Sequence, residues 1–203
     1  MSAAIAWEQS MANYFIFAMA SHCYPALMTT AEVLKACAEQ SRLPFLVIGG
    51  HAVILHGYQR STADLDVLIR RNDLDAWVKA LAKVNYAPDY VHRTFARFRS
   101  SAGAIDLDLM LVSDETFQKM SAESKVSKFE HTSISIPSIE HFIALKLHAL
   151  KQDLRHRRLR DADDVINLVL KNGINVEESR WREIFKRHGT LDWYERIRKA
   201  TRP

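Results

Sequence analysis

Two short acidic repeats, each set inside an apolar run, constrain the fold of this chain more than any other feature. Residues 64–69 read Asp-Leu-Asp-Val-Leu-Ile and follow a Gly49-Gly50 pair that closes the preceding apolar run. Alternate side chains of a β-strand share a face, so Asp64 and Asp66 lie together while the leucine and valine beside them enter the core. The pattern predicts a strand with one buried face and two carboxylates about 7 Å apart on the other.

A second segment repeats the arrangement. In residues 104–111, Asp106 and Asp108 alternate with apolar residues. Like charges on one strand face repel each other, and Mg²⁺, which prefers carboxylate oxygens and substrate phosphates, would relieve that repulsion. We therefore expect Asp64, Asp66 and one of the later acids to hold two Mg²⁺ ions open to a nucleoside triphosphate. The remaining acid would support a ligand or act as a general base for an acceptor hydroxyl.

The segments before Asp64 suit a phosphate group. Gly49 and Gly50 have no Cβ, so the backbone there can approach a phosphate closely, and we expect them to cradle the triphosphate. Arg60 and Thr62 lie in the loop that leads into Asp64. Arg60 suits a phosphate because its guanidinium donates in bidentate fashion, although a loop arginine in water is an equal alternative.

These residues together resemble the nucleotidyltransferase superfamily with the polymerase-β-like fold. A longer set of motifs, spanning residues 43 to 170, resembles the small prokaryotic nucleotidyltransferases related to AbiEii/AbiGii-type toxins. In chain order the motifs are Gly49-Gly50-His51-Ala52, His56-Gly57, Arg60-x-Thr62-x-Asp64-x-Asp66, Ala144-Leu145-Lys146-Leu147 and Arg160-Asp161-Ala162-Asp163-Asp164-Val165.

The resemblance implies roles for further residues. It favours Asp108 over Asp106 as the third metal ligand, and it implies that Lys146 binds the triphosphate. It also places Asp161 or Asp164 in the active cleft. From the residues alone, Lys146 can equally extend its ammonium to water from an apolar helix face. Asp161 and Asp164, three residues apart, can equally form ordinary ion pairs at a helix start.

The expected fold class is α+β: a small mixed β-sheet with flanking helices, the nucleotidyltransferase fold, followed by a C-terminal helical segment. We expect a nucleotidyltransferase core over residues 28–137 and a helical segment over 138–203 that closes the cleft. Residues 1–27 are interpreted as an extension, with Met28 as a candidate start because a Thr-capped helix follows it. An amphipathic N-terminal helix is the alternative interpretation of that extension.

Hydrophobic periodicity and turn residues predict the individual elements. The predicted strands are 43–48, 64–69, 93–99, one through Asp106 and Asp108, and 132–136. The predicted helices are 30–41, 50–56, 73–84, 139–154, 160–171, 177–187 and 191–200.

Composition limits the class of protein. The net charge is +4, and from residue 141 onward fifteen Lys and Arg face nine Asp and Glu. This excess indicates either the solvated faces of amphipathic helices or a track for a triphosphate or an RNA acceptor. Two cysteines are too few for a disulfide framework or a zinc site. The absence of a run of about 18 apolar residues predicts no membrane span, and we expect a cytoplasmic protein.

The predicted activity is Mg²⁺-dependent transfer of a nucleoside monophosphate from an NTP, with ATP among the candidates, to an acceptor hydroxyl. The toxin-type resemblance favours RNA, such as a tRNA end, or protein over a drug as acceptor. It also implies a toxin–antitoxin or abortive-infection role with a cognate antitoxin as partner. The alternative is a non-catalytic module that senses nucleotide or binds an antitoxin. The complete set of acids favours the enzyme.

Overall fold

A computed structural model of the 203-residue chain describes residues 29–101, 104–129, 131–152 and 155–202. The interpretation of residues 1–27 as an extension, and of Met28 as the start, therefore lies outside the described residues. The first described helix begins where the sequence predicts. Thr29 accepts a hydrogen bond from the backbone N–H of Glu32, and the Glu32 carboxylate accepts one from the backbone N–H of Thr29. This reciprocal cap fixes the helix start.

A five-stranded mixed sheet forms the centre of the fold. The described strands are β1 (Leu46–Val47), β2 (Asp64–Arg70), β3 (Tyr86–His92), β4 (Phe95–Ser100), β5 (Asp106–Val112), β6 (Lys125–Phe129) and β7 (Thr132–Ile136). The order in the five-stranded sheet is β1-β2-β5-β4-β3, in which β2 and β5 are parallel and every other neighbouring pair is antiparallel. A separate hairpin pairs β6 with β7.

Eight α-helices lie within the described residues, four of them after the last strand. The predicted α+β class, with a mixed sheet followed by a helical segment, is confirmed. The helices are α1 (Thr30–Ser41), α2 (Gly49–Leu55), α3 (Leu74–Ala82), α4 (Asp114–Ala122), α5 (Ile139–Lys151), α6 (Arg155–Lys171), α7 (Ser179–His188) and α8 (Leu191–Ala200).

The sheet is buried on the face opposite the acids. Leu65 and Val67 of β2 and Leu107 and Leu109 of β5 have at most 1% of their surface exposed. These side chains belong to one apolar cluster that also includes residues of α1, α3 and the C-terminal helices. The alternation of β2 and β5 therefore directs these four side chains into the core and the carboxylates to the other face, which the acids share with Leu68 and Met110.

Several elements differ from the sequence prediction. The first strand is only two residues long, and α6 begins at Arg155 rather than at Arg160. Strand β3, helix α4 and strand β6 were not predicted. Strand β3 carries Pro88 and mostly exposed residues, which hides the alternating pattern on which strand prediction depends. Strand β6 is exposed along most of its length, and this exposure hides its alternating pattern in the same way.

His56 connects the end of α2 to the start of the C-terminal helices. Its Nε2 lies 3.1 Å from the carbonyl oxygen of Pro137, and its ring stacks on Phe142. Burial is the main cause that lowers the pKa of His56 to about 4. A buried neutral imidazole held in this way indicates that His56 has a structural role in the packing of α2 against α5.

Among the described helices, none combines the length and the apolar character needed to cross a membrane.

Candidate active site

The parallel pairing of β2 and β5 brings the two acidic repeats side by side. Asp64 pairs in register with Asp106, and Asp66 with Asp108. Carboxylate oxygens of Asp64, Asp66 and Asp108 all lie within 4.8 Å of one another. Asp106 is outside this group and its side chain is 41% exposed. We call Asp64, Asp66 and Asp108 the acidic triad.

The acidic triad is an unfavourable arrangement unless a cation lies against it. Two unit charges 4.8 Å apart repel by about 3.5 kcal/mol at an effective dielectric constant of about 20. Asp108 is only 1% exposed, so water screens its charge little. Three carboxylates that converge from two strands supply the oxygen donors that Mg²⁺ prefers, so these residues fit a divalent cation.

Arg97 of β4 already provides one positive charge to the acidic triad. Its Nε and Nη2 donate hydrogen bonds of 2.8 and 2.7 Å to the two oxygens of Asp108. Hydrogen bonding to Asp108 is the main cause that raises the pKa of Arg97 above its ordinary value. From the sequence, Arg97 was predicted only to lie in a strand. Its position opposite Asp108 in the β4–β5 hairpin is the signal that could have indicated this role.

The glycine pair lies directly against the acids. Gly49 has a φ of +61°, and a Cβ built there would overlap the Asp66 carboxylate. A Cβ on Gly50 would overlap the Thr62 side chain and lie 3.0 Å from Nη1 of Arg60. Close contacts therefore require glycine at both positions. At Gly49 the backbone conformation requires it as well.

Thr62 connects the loop to the acidic triad. Its hydroxyl donates a hydrogen bond of 3.2 Å to Oδ1 of Asp64. This contact leaves the other carboxylate oxygen of Asp64 available and fixes the side-chain orientation. Thr62, predicted to bind nucleotide, is thus placed to orient an acid of the triad.

Gly49→Ala is expected to displace Asp66 as well as to strain the backbone. Gly173 is a matched control because its φ is +59° and a Cβ there would meet no atom within 4 Å. Gly173→Ala should cost about 1–2 kcal/mol of unfolding free energy, the cost of left-handed backbone alone. Gly49→Ala should cost more, and an activity that depends on the acidic triad should fall about 100-fold because the Asp66 carboxylate is displaced. Denaturant unfolding and turnover of both variants check this, and equal unfolding costs would contradict the overlap with Asp66.

The C-terminal helices bring four charged side chains together beside the loop. Nζ of Lys146, on α5, lies 2.7 Å from a carboxylate oxygen of Asp161 and 2.7 Å from one of Asp164, both on α6. Nε of Arg60 lies 2.8 Å from the other oxygen of Asp164. All but Arg60 are less than 10% exposed. We call Lys146, Asp161, Asp164 and Arg60 the buried ion network.

The buried ion network changes the interpretation of Lys146. Its ammonium has two carboxylate partners and is 9% exposed, so it does not extend into water from an apolar helix face. Nor do Asp161 and Asp164 form ordinary surface pairs, because they neutralise Lys146 and Arg60 inside the protein. Direct binding of the triphosphate by Lys146 stays a prediction.

One further contact joins the loop to α6. The Tyr58 hydroxyl donates a hydrogen bond of 2.8 Å to Asp163, and this bond is the main cause that raises the pKa of Tyr58. Neither residue had a predicted role. Together with the pairing of Arg60 and Asp164, this contact attaches residues 58–60 to α6.

The family described as "Nucleotidyltransferase of unknown function (DUF6036)" matches residues 26–131 of the chain. The chain belongs to this nucleotidyltransferase family. The match includes the glycine pair, the loop and the acidic triad, and it ends before Lys146, Asp161 and Asp164. The predicted superfamily is confirmed, while the toxin-type subgroup stays a prediction. A comparison with curated proteins finds no match.

Solved structures of nucleotidyltransferases resemble the fold. The solution structure of the antibiotic-resistance factor ANT(2'')-Ia has a TM-score of 0.50 and 14% identity, over 85% of this chain and 92% of that chain. A crystal structure of ANT(2'')-Ia in complex with adenylyl-2''-tobramycin has the same TM-score and identity, over 85% and 97%. A nucleotidyltransferase-like protein from Paracoccidioides brasiliensis has a TM-score of 0.47 and 13% identity, over 85% and 94%. At these identities the likeness to ANT(2'')-Ia concerns the fold alone.

Proposed function

We propose that this nucleotidyltransferase transfers a nucleoside monophosphate from an NTP to an acceptor hydroxyl on RNA or protein, with Mg²⁺ as cofactor. The observation that carries the proposal is the acidic triad, in which three carboxylates from two strands converge within 4.8 Å beside a glycine turn. Charge repulsion of this kind contributes nothing to folding, and its retention is explained by a bound cation.

Each element has a role in the proposed reaction. Asp64, Asp66 and Asp108 hold the metal, which when bound neutralises charge on the phosphates and on the oxygens that attack and leave. Gly49 and Gly50 let the backbone approach the triphosphate, because a side chain at either position would overlap the loop or the triad. Asp106, exposed at the edge of the triad, is the candidate base for the acceptor hydroxyl.

The buried ion network supports the nucleotide site from behind. Asp164, which is fully buried, holds Arg60 so that its Nη1 lies over Gly50. Lys146 and Asp161 complete the charge balance around Asp164. We place Arg60 and Thr62 against the nucleotide and assign Lys146, Asp161 and Asp164 the task of positioning Arg60. In this way the segment 138–203 closes the site formed by the core, residues 28–137.

The acceptor proposal comes from the sequence rather than from contacts. RNA or protein as acceptor, and a toxin role with a cognate antitoxin, follow from the toxin-type motifs described above. The excess of basic residues after residue 141 is compatible with an anionic acceptor.

Incubation with labelled nucleotides tests the function. Each NTP, labelled at its α-phosphate, is incubated with the protein, Mg²⁺ and either total RNA or a protein lysate. We expect the label to enter one of these two acceptors, whereas NTP labelled at the γ-phosphate should label neither because that phosphate leaves as pyrophosphate. Transfer of the γ-label would indicate a kinase, and failure of all four NTPs with both acceptor pools would refute the proposal.

A further inference from the structure

Arg97 is a cation that lies against the acidic triad, beside Asp108. It pairs across the β4–β5 hairpin with Asp108, and Asp108 pairs in parallel with Asp66. Residues paired directly across neighbouring strands have their side chains on the same face of the sheet. Asp66, Asp108 and Arg97 therefore form one row of side chains across β2, β5 and β4.

The contact between Arg97 and Asp108 uses both oxygens of the carboxylate. The two hydrogen bonds, of 2.8 and 2.7 Å, form the bidentate geometry in which arginine binds carboxylates most strongly. The Asp108 side chain is 1% exposed, whereas that of Arg97 is 32% exposed. The acid is thus fixed within the protein, while the cation lies at the open face of the sheet and has room to move.

Arg97 has a second favourable partner in addition to Asp108. In the same conformation its guanidinium carbon lies 5.9 Å from the centre of the Phe95 ring, within the range of a cation–π contact. Phe95 is two residues away on the same face of β4. The Phe95 ring can therefore stabilise the guanidinium when the contact with Asp108 is lost.

We propose that Arg97 is the internal counter-ion of the acidic triad and competes with the metal for Asp108. In the metal-free protein it neutralises the most deeply buried acid of the triad. When a divalent cation binds, that cation takes over Asp108 and the guanidinium is released to the open face of the sheet. This inference rests on the proposed function, because it assigns the metal to the same three acids. Because the two cations compete for Asp108, a change in Arg97 that weakens its contact with Asp108 strengthens metal binding.

The test measures metal binding without nucleotide or turnover. The affinity for Mn²⁺ is determined by electron paramagnetic resonance for the wild type, Arg97→Gln and Arg97→Lys. Arg97→Gln should bind Mn²⁺ at least tenfold more tightly, and its metal-free form should melt at a lower temperature than the wild type. Arg97→Lys keeps the charge but not the bidentate fork, so its Mn²⁺ affinity should lie between those of the wild type and Arg97→Gln. It replaces Arg97→Gln as the test variant if that protein does not fold.

Arg99→Gln is the matched control. Arg99 is on the same strand and face, but it lies 3.9 Å from Asp106 and 3.3 Å from Asp89, and is 62% exposed. Its loss should change Mn²⁺ affinity less than twofold. Wild-type or weaker affinity in Arg97→Gln would overturn the proposal and show that Arg97 orients Asp108 for the metal. Absence of Mn²⁺ binding in every variant, even with NTP present, would instead refute the metal assignment of the proposed function.

Discussion

Asp66→Asn is expected to abolish nucleotidyl transfer and to leave the metal-free fold as stable as the wild type or more stable. The substitution keeps the shape of the side chain that Gly49 accommodates but removes one of three charges within 4.8 Å. Because repulsion among the acids falls, the melting temperature without metal should stay level or rise. Mg²⁺ should raise the melting temperature of the wild type and not of the variant, since only a protein that binds the ion is stabilised by it.

Two measurements decide this prediction. Turnover of Asp66→Asn should be below a tenth of the wild-type value, which is a barrier increase above about 1.4 kcal/mol. Higher residual turnover would be incompatible with metal catalysis through the acidic triad. Asp106→Asn is the control for the thermal measurement: Asp106 lies outside the triad, so its variant should keep the stabilisation by Mg²⁺.

Lys146→Met is expected to destabilise the protein severely. The methionine keeps most of the apolar stem, but Asp161 and Asp164 then remain buried, and Arg60 is the one cation left in the buried ion network as defined above. Breaking a buried ion pair by removal of one partner costs about 3–5 kcal/mol, because the remaining charge is uncompensated. Denaturant unfolding at neutral pH measures the loss.

A double variant separates charge balance from nucleotide binding. Lys146→Met combined with Asp161→Asn removes one charge of each sign and leaves Arg60 paired with Asp164. It should recover a large part of the lost unfolding free energy. If instead Lys146→Met keeps wild-type stability and loses NTP affinity, Lys146 binds the triphosphate directly and the supporting role assigned to the buried ion network is wrong.

The acidic strands could be predicted because their information is local. In β2, Asp64 and Asp66 alternate with apolar residues, and this alternation predicts the face that Leu65 and Val67 bury. It does not predict the burial of Leu68, which lies on the same face as the acids. A helix over 191–200 was predicted from the sequence, and α8 has these bounds. In the structure, the Thr190 hydroxyl caps its first turn by accepting a hydrogen bond from the backbone N–H of Trp193. Both patterns can be recognised within about ten consecutive residues of sequence.

The contacts around the acids were not predicted because they depend on strand register and helix packing rather than on a local pattern of residues. The register between β4 and β5 decides that Arg97, rather than Arg99, meets Asp108. The packing of α5 against α6 decides that Lys146 meets Asp161 and Asp164. The sequence identified the charged residues of the second group but not that they neutralise one another.

The parallel register of β2 and β5 has a consequence for how the chain folds. Both strands carry acids two residues apart, so a slip that aligned Asp66 with Asp106 would still oppose an acid to an acid and keep each side chain on its own face of the sheet. The alternation of apolar residues therefore distinguishes poorly between the native alignment and this misalignment. The slip would shorten the seven paired positions from Asp64–Asp106 to Arg70–Val112, leave Asp64 beyond the end of its neighbour and place the buried Asp108 opposite Leu68. The spacing that brings the carboxylates together thus also permits a competing alignment, which the native pairing of Asp66 with Asp108 must exclude.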